Sequence, residues 1–167
     1  SLHRRSGLTL MPATPGLSIH EDDLSGQPTR DLVALHLAGM VGHSPPGHSF
    51  ALDVAGLKQP DVTFWSAWFD DDIAGIGALR TLGRGLGEIK SMRTHPDHLG
   101  NGVGAAILDH IVAEARRRGL TRVCLETGSG PAFEAALALY RKRGFREGPA
   151  FADYAPSAFN QFLHLEL

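Results

Sequence analysis

The segment Leu99-Gly100-Asn101-Gly102-Val103-Gly104 places three glycines just where a helical period begins, with Val103, Ile107, Ile111, Val112 and Ala115 recurring on one face. Bare backbone at a helix start leaves N–H groups unpaired and gathers about half a positive charge from the macrodipole, a combination that attracts phosphate. The polar segment Glu88 to Arg93 precedes the glycines as a strand, and Arg116-Arg117-Arg118-Gly119 closes the helix with cations at its negative end and a glycine cap. A strand, a bare turn and an amphipathic helix in succession call for helices packed on a sheet.

The flanking sequence extends this pattern. Leu17 to His20 alternates as a short strand, and Asp31 to Val41 reads as a helix. His43-Ser44-Pro45-Pro46-Gly47-His48 is a loop that regular pairing cannot accommodate. Val62 to Phe69 and Ile73 to Leu79 are strands joined by the Asp70-Asp71-Asp72 turn. Glycines 83, 85 and 87 then turn the chain into Glu88 to Arg93, giving an antiparallel meander. Trp65 and Trp68 are expected on opposite faces of their strand only if its pairing has no bulge. Val123 to Glu126 is a further strand, Ala132 to Arg143 a helix capped by Gly144, and Phe159 to Leu167 a closing strand. The predicted class is α/β with one mixed sheet in the order β-α-βββ-α-β-α-β, as a single domain over residues 17–167. Residues 1–16 lack a period and are expected to be a tag-like or loose leader.

The 167 residues suit one core, and a formal charge of −2 argues against nucleic acid or an anionic membrane as the main partner. No apolar run approaches the roughly 18–20 residues of a membrane span. A lone cysteine, Cys124, gives no intrachain disulfide framework and no metal cluster, which fits a cytoplasmic location and a buried packing thiol. His43 and His48 flank the Pro-Pro loop without metal-ligand spacing, so no metal is expected.

Three phosphate-binding loops compete for the glycines. A P-loop needs Lys and Ser or Thr after its last glycine, where this chain has Ala105-Ala106. A dinucleotide fingerprint is met in form by Gly100, Gly102 and Ala105, with Glu126 near the expected acidic ribose ligand. Against it, Thr94 to Leu99 separates strand from glycines, and a meander precedes the loop where a βαβαβ half should begin. The third reading is a resemblance to the GCN5-related N-acetyltransferases, the GNAT superfamily. It covers Leu17 to Leu167 by element order and is most specific over Glu88 to Phe145. The family's Gln/Arg-x-x-Gly-x-Gly/Ala signature falls on Leu99 to Gly104 after His95-Pro96. Its later Leu-Tyr pair, followed by glycine and an aromatic, falls on Leu139-Tyr140 and Gly144-Phe145.

The resemblance implies acetyl-CoA as acyl donor, with coenzyme A as co-product, and a small-molecule or peptide amine as acceptor, attacked directly in a ternary complex. It places the pyrophosphate on the N–H groups of Leu99, Gly100, Asn101, Gly102, Val103 and Gly104, with Ala105 packed behind. The pantetheine arm falls on backbone groups of Met92, Arg93 and Thr94, the Met92 N–H serving as oxyanion donor. Leu99 replaces the usual Gln or Arg at a position that acts through its backbone, and Phe133 replaces an Asn, implying an apolar contact. Tyr140 resembles the family's general acid, since a phenol near pKa 10 is protonated at neutral pH; otherwise it is a half-buried helix aromatic. Glu88 matches the base of the histone-acetylating branch, or else pairs with Lys90 on its own strand face. Glu126 is the competing base or a ligand for a cationic substrate. Acceptor contacts are expected from Asp31 to Pro60 and from Gly148 to Asn160. The closing strand is able to pair across a two-fold axis into a homodimer. An acyl-CoA-binding sensor without turnover is the alternative to an enzyme.

Overall fold

The computed structural model describes residues 14–167, so most of the expected leader lies outside the described residues. The elements run β1 (Leu17–Glu21), α1 (Gln27–His43), α2 (Val54–Leu57), β2 (Val62–Phe69), β3 (Asp72–Gly83), β4 (Leu86–Thr94), α3 (Val103–Arg117), β5 (Arg122–Thr127), α4 (Glu134–Lys142), β6 (Arg146–Glu147) and β7 (Gln161–Glu166). They build the expected mixed α/β fold around one sheet ordered β1-β2-β3-β4-β5-β7-β6, in which only β4 and β5 pair in parallel.

The differences from the sequence reading have local causes. Helix α1 starts at Gln27 rather than Asp31, because Pro28 is well tolerated in a first turn. The late helix opens as a 3-10 turn over Pro131–Phe133 before α4 begins at Glu134. Elements α2 and β6 are too short to carry a period. The register of β2 against β3 does shift at Ala67/Trp68, yet Trp65 packs into the core on one face and Trp68 against the core on the other. The expectation that a bulge would undo their opposition fails because the extra residue, Ala74, lies on β3, which leaves the alternation of β2 intact. Strand β7 is second from the edge of the sheet, since β6 pairs with its Leu163 and His164.

Helices α3 and α4 cover one face over Ile107, Ile111, Leu125, Leu137 and Phe145, and α1 and α2 cover the other over Leu32, Val33, Phe64 and Ile76. Each of these large side chains, fully buried, contributes about 1.5–3 kcal/mol. Helix α3 seats directly on β3: a Cβ at Gly77 would stand 2.7 Å from Ile107 Cγ2 and 2.9 Å from Ile111 Cδ1. A side chain there would lift the helix that presents the glycine segment. Among the described residues no helix is long and apolar enough to cross a membrane.

Candidate active site

Strands β4 and β5 pair only at Leu86–Arg122, Gly87–Val123 and Glu88–Cys124, and then separate. The cause lies in β4. Against β3, Ile76 faces Arg93 while Ala78 faces Lys90, so Ser91 and Met92 together oppose Gly77. Ser91 adopts φ 58°, a left-handed conformation unusual for a serine. Such a bulge bends its strand and shifts its phase. Ile89 and Met92 therefore pack together on the α3 side, while Arg93 joins Glu88 and Lys90 on the α1 side. The gap opens a cavity of about 520 Å³ between α1 and α4.

One end of the site is backbone. Residues Pro96–His98 form a 3-10 turn in which His95 Nδ1 accepts the Asp97 N–H at 3.0 Å, giving His95 a turn-forming role. Gly100 and Gly102 follow at φ 79° and 78°. Gly102 is the N-cap of α3 and provides no side-chain cap. The first helical bond runs from the Ala106 N–H to the Gly102 carbonyl at 3.0 Å, which leaves the N–H groups of Val103, Gly104 and Ala105 without helical partners. A Cβ at Gly100 would meet no atom within 4 Å. The Leu99 side chain is exposed and that of Val103 is buried in the core, so neither offers a polar group. The Thr14 hydroxyl donates to the Asn101 and Gly102 carbonyls, both at 3.4 Å, from the other side of the loop.

The other end is side chain. Glu88 is 1% exposed. Its Oε2 accepts the Tyr154 hydroxyl at 2.5 Å and Lys90 Nζ at 3.3 Å, and Lys90 Nζ also donates to the Tyr154 oxygen at 2.7 Å. Glu88 Oε1 is buried without a hydrogen-bond partner among the described residues. Across the gap on β5, burial pushes the Glu126 carboxyl up to about 7, with Lys90 opposing and the Glu88 carboxylate adding to the rise. Burial likewise raises the Tyr140 phenol to about 12. The Gly144 cap returns the chain so that the Phe145 N–H donates to the Tyr140 carbonyl at 3.1 Å and the two rings pack. Phe133 meets Phe159 edge-to-face at 5.5 Å.

The cavity thus brings together Glu88, Glu126, Tyr140 and Phe133 with Met92, Arg93, Thr94, Leu99 and Gly104. Gly100, Asn101, Gly102, Val103 and Ala105 do not line it, although Leu99 and Gly104 beside them do. Cys124 is fully buried, its thiol raised to about 12 by burial, as a packing residue should be. A sequence model of the Acetyltransferase (GNAT) family matches residues 30–145. The chain belongs to the GNAT family of acetyltransferases. It is 47% identical over 150 residues to the uncharacterized N-acetyltransferase YedL of Escherichia coli (strain K12), covering 90% of this chain and 94% of that protein. It is 45% identical to the uncharacterized N-acetyltransferase YsnE of Bacillus subtilis (strain 168), over 90% of this chain and all of the relative. A Bacillus subtilis acetyltransferase solved in complex with CoA has the same fold, with a TM-score of 0.68 at 20% identity over 90% of this chain and 99% of that one.

In this GNAT acetyltransferase the start of α3 is uncapped and preceded by glycines, and β4 and β5 separate beside it, which are features suited to hold a diphosphate and an extended arm. Two contributors escaped the sequence reading. Tyr154, the chain's second tyrosine, reaches Glu88 from the Phe151–Pro156 region, and His36 enters from α1. Nothing periodic marks either; only their chemical type inside segments expected to meet the acceptor could have pointed to them.

Proposed function

We propose that this GNAT acetyltransferase moves an acetyl group from acetyl-CoA to a primary amine by direct attack in a ternary complex. The supporting observation is the convergence of the Tyr140 phenol and two carboxylates in one cavity beside an uncapped helix end. Bound acetyl-CoA supplies an activated thioester. The N–H groups from Leu99 to Gly104 hold its diphosphate, and the free backbone of Met92, Arg93 and Thr94 aligns its arm. The Met92 N–H donates to the acetyl oxygen as charge develops there. Phe133 packs against the arm without a polar contact.

A base acting near neutrality is best served by a group that titrates there. Glu126, raised to about 7, has that property. Glu88 has one oxygen committed to Tyr154 and Lys90 and the other buried, so it acts on the site through its charge, which helps to raise Glu126. Glu126 therefore accepts the amine's proton, and Tyr140, protonated throughout the neutral range, gives its own to the departing sulfur. The test is a panel of amines with acetyl-CoA, reading free thiol. Turnover that falls by about 10²-fold or more in both Glu126→Gln and Tyr140→Phe, with CoA affinity retained, supports this assignment. Tight acetyl-CoA binding without turnover of any amine replaces it with the sensor reading.

A further inference from the structure

Arg93 has an unusual setting. Its Nε donates to His36 Nδ1 at 2.9 Å, and its guanidinium lies over Gly39, where a Cβ would stand 2.8 Å from Nη2. No carboxylate pairs with it among the described residues, and desolvation is the one influence that shifts it, downwards. Arg93 is thus a half-buried cation whose terminal nitrogens have no hydrogen-bond partner among the described residues. The shape around it is made for that state. His36, Gly39, Met40 and His43 fall at i, i+3, i+4 and i+7 on the cavity face of α1, and the glycine leaves room for the guanidinium. Because His36 Nδ1 accepts from Arg93, the neutral ring carries its proton on Nε2, a second donor at the same wall. Burial, then Arg93 and Lys90, hold that imidazole at about 4, so it stays neutral.

A partly desolvated cation without a counter-ion is an unmet electrostatic demand. The opposite demand sits at the Glu88 and Glu126 end of the cavity. We propose that Arg93, backed by His36 and given room by Gly39, anchors a carboxylate on the acceptor, so the enzyme selects amines that also carry a carboxylate. This rests on the N-acetyltransferase reading above and names the acceptor class for that site. The cofactor's diphosphate does not satisfy the same demand. Its backbone site opens at α3, whereas the Arg93 side chain leaves β4 on the α1 side.

The test compares amino acids and dipeptides with their own C-terminal amides as acceptors, with acetyl-CoA and thiol release as readout. In the wild-type enzyme the best acceptor is expected to show kcat/KM roughly 10- to 100-fold higher as the free acid than as the amide, mostly through KM. Arg93→Gln should bring that ratio to within about threefold of unity. Gly39→Asp, which sets a carboxylate of the chain's own against the guanidinium, should weaken the free acid selectively. Equal use of acid and amide by the wild type overturns the proposal while leaving N-acetyl transfer intact, and needs no variant to fold. Preference for the acid retained in Arg93→Gln also overturns it. So does weakened CoA binding in that variant, which would assign the guanidinium to a cofactor phosphate. Absence of turnover with every acid and amide, beside turnover of an amine that carries no carboxylate, overturns this inference alone, whereas absence of turnover with any amine removes the N-acetyltransferase reading and this inference with it.

Discussion

The two ends of the cleft are built from different materials. At the α3 end the groups on offer are backbone N–H groups, left without side-chain caps where Gly100 and Gly102 turn through left-handed conformations. At the other end they are charged side chains, Glu88, Lys90, Arg93 and Glu126, joined by Tyr154 and His36 from distant segments. A backbone site is specified by a short run of residues and recognises what every donor molecule shares. A side-chain site is assembled from several elements and is free to differ with the acceptor. The contrast predicts that damage to the first end abolishes cofactor binding outright, whereas damage to the second alters rate, selectivity and pH dependence.

Gly102→Asp is the most damaging change expected. An L-residue at φ 78° costs about 1–2 kcal/mol, and its Cβ would stand 3.1 Å from Thr14 Oγ1. Its charge would also face the diphosphate. Calorimetry should show CoA affinity falling on the order of 100-fold or more. Normal affinity would sink the loop assignment. Tyr140→Phe comes next and has the opposite signature: roughly a 10²- to 10³-fold loss in kcat with CoA affinity held within about threefold. Unchanged turnover would remove Tyr140 from the chemistry.

The same contrast explains how far the sequence could be read. Leu99 to Gly104 and Leu139-Tyr140 with Gly144-Phe145 are contiguous, and their spacing encodes their geometry, so the glycine turn into α3 and the order of elements around it were legible. The bulge at Ser91 was not. It decides that Arg93 rather than Met92 shares the face of Glu88, and no residue type announces it, since the left-handed position holds a serine where glycine would be the usual signal. Tyr154 was equally hidden, because its hydrogen bond to Glu88 spans 66 positions of chain. The division of labour between Glu88 and Glu126 depends on burial and on Lys90, which only the fold reveals.

That division gives the third test. If Glu126 is the base, kcat/KM should rise with pH and level off above about 7, where its carboxyl becomes ionised. Glu126→Gln should erase this limb and lower the plateau by about 10²-fold. Glu88→Gln should retain the limb but move it to lower pH, because one of the influences that raise Glu126 is gone while Lys90 still lowers it. An unmoved limb in Glu88→Gln together with a lost limb in neither variant would assign the proton transfer elsewhere.

The smallest effect concerns stability, and it separates the two ends most directly, because only the acceptor end holds groups against their preference in water. His36 is held at about 4 from an ordinary 6.5, chiefly by burial. Between those values the unfolded chain binds a proton that the folded chain refuses, so stability is lost as pH falls through that window, by about 3 kcal/mol. Glu126 works in the other sense. Held at about 7 from an ordinary 4.5 by burial, it keeps a proton that the unfolded chain has released, so stability is lost as pH rises. The two slopes overlap and offset each other between 4.5 and 6.5. Replacing Glu126 with glutamine removes one of them. In urea titrations, the variant should gain on the wild type by about 1–2 kcal/mol between pH 5 and pH 8, after discounting for partial exposure. Parallel stability curves for the two proteins would show that the Glu126 carboxyl is not held against its preference, and its claim to act as the base would go with that.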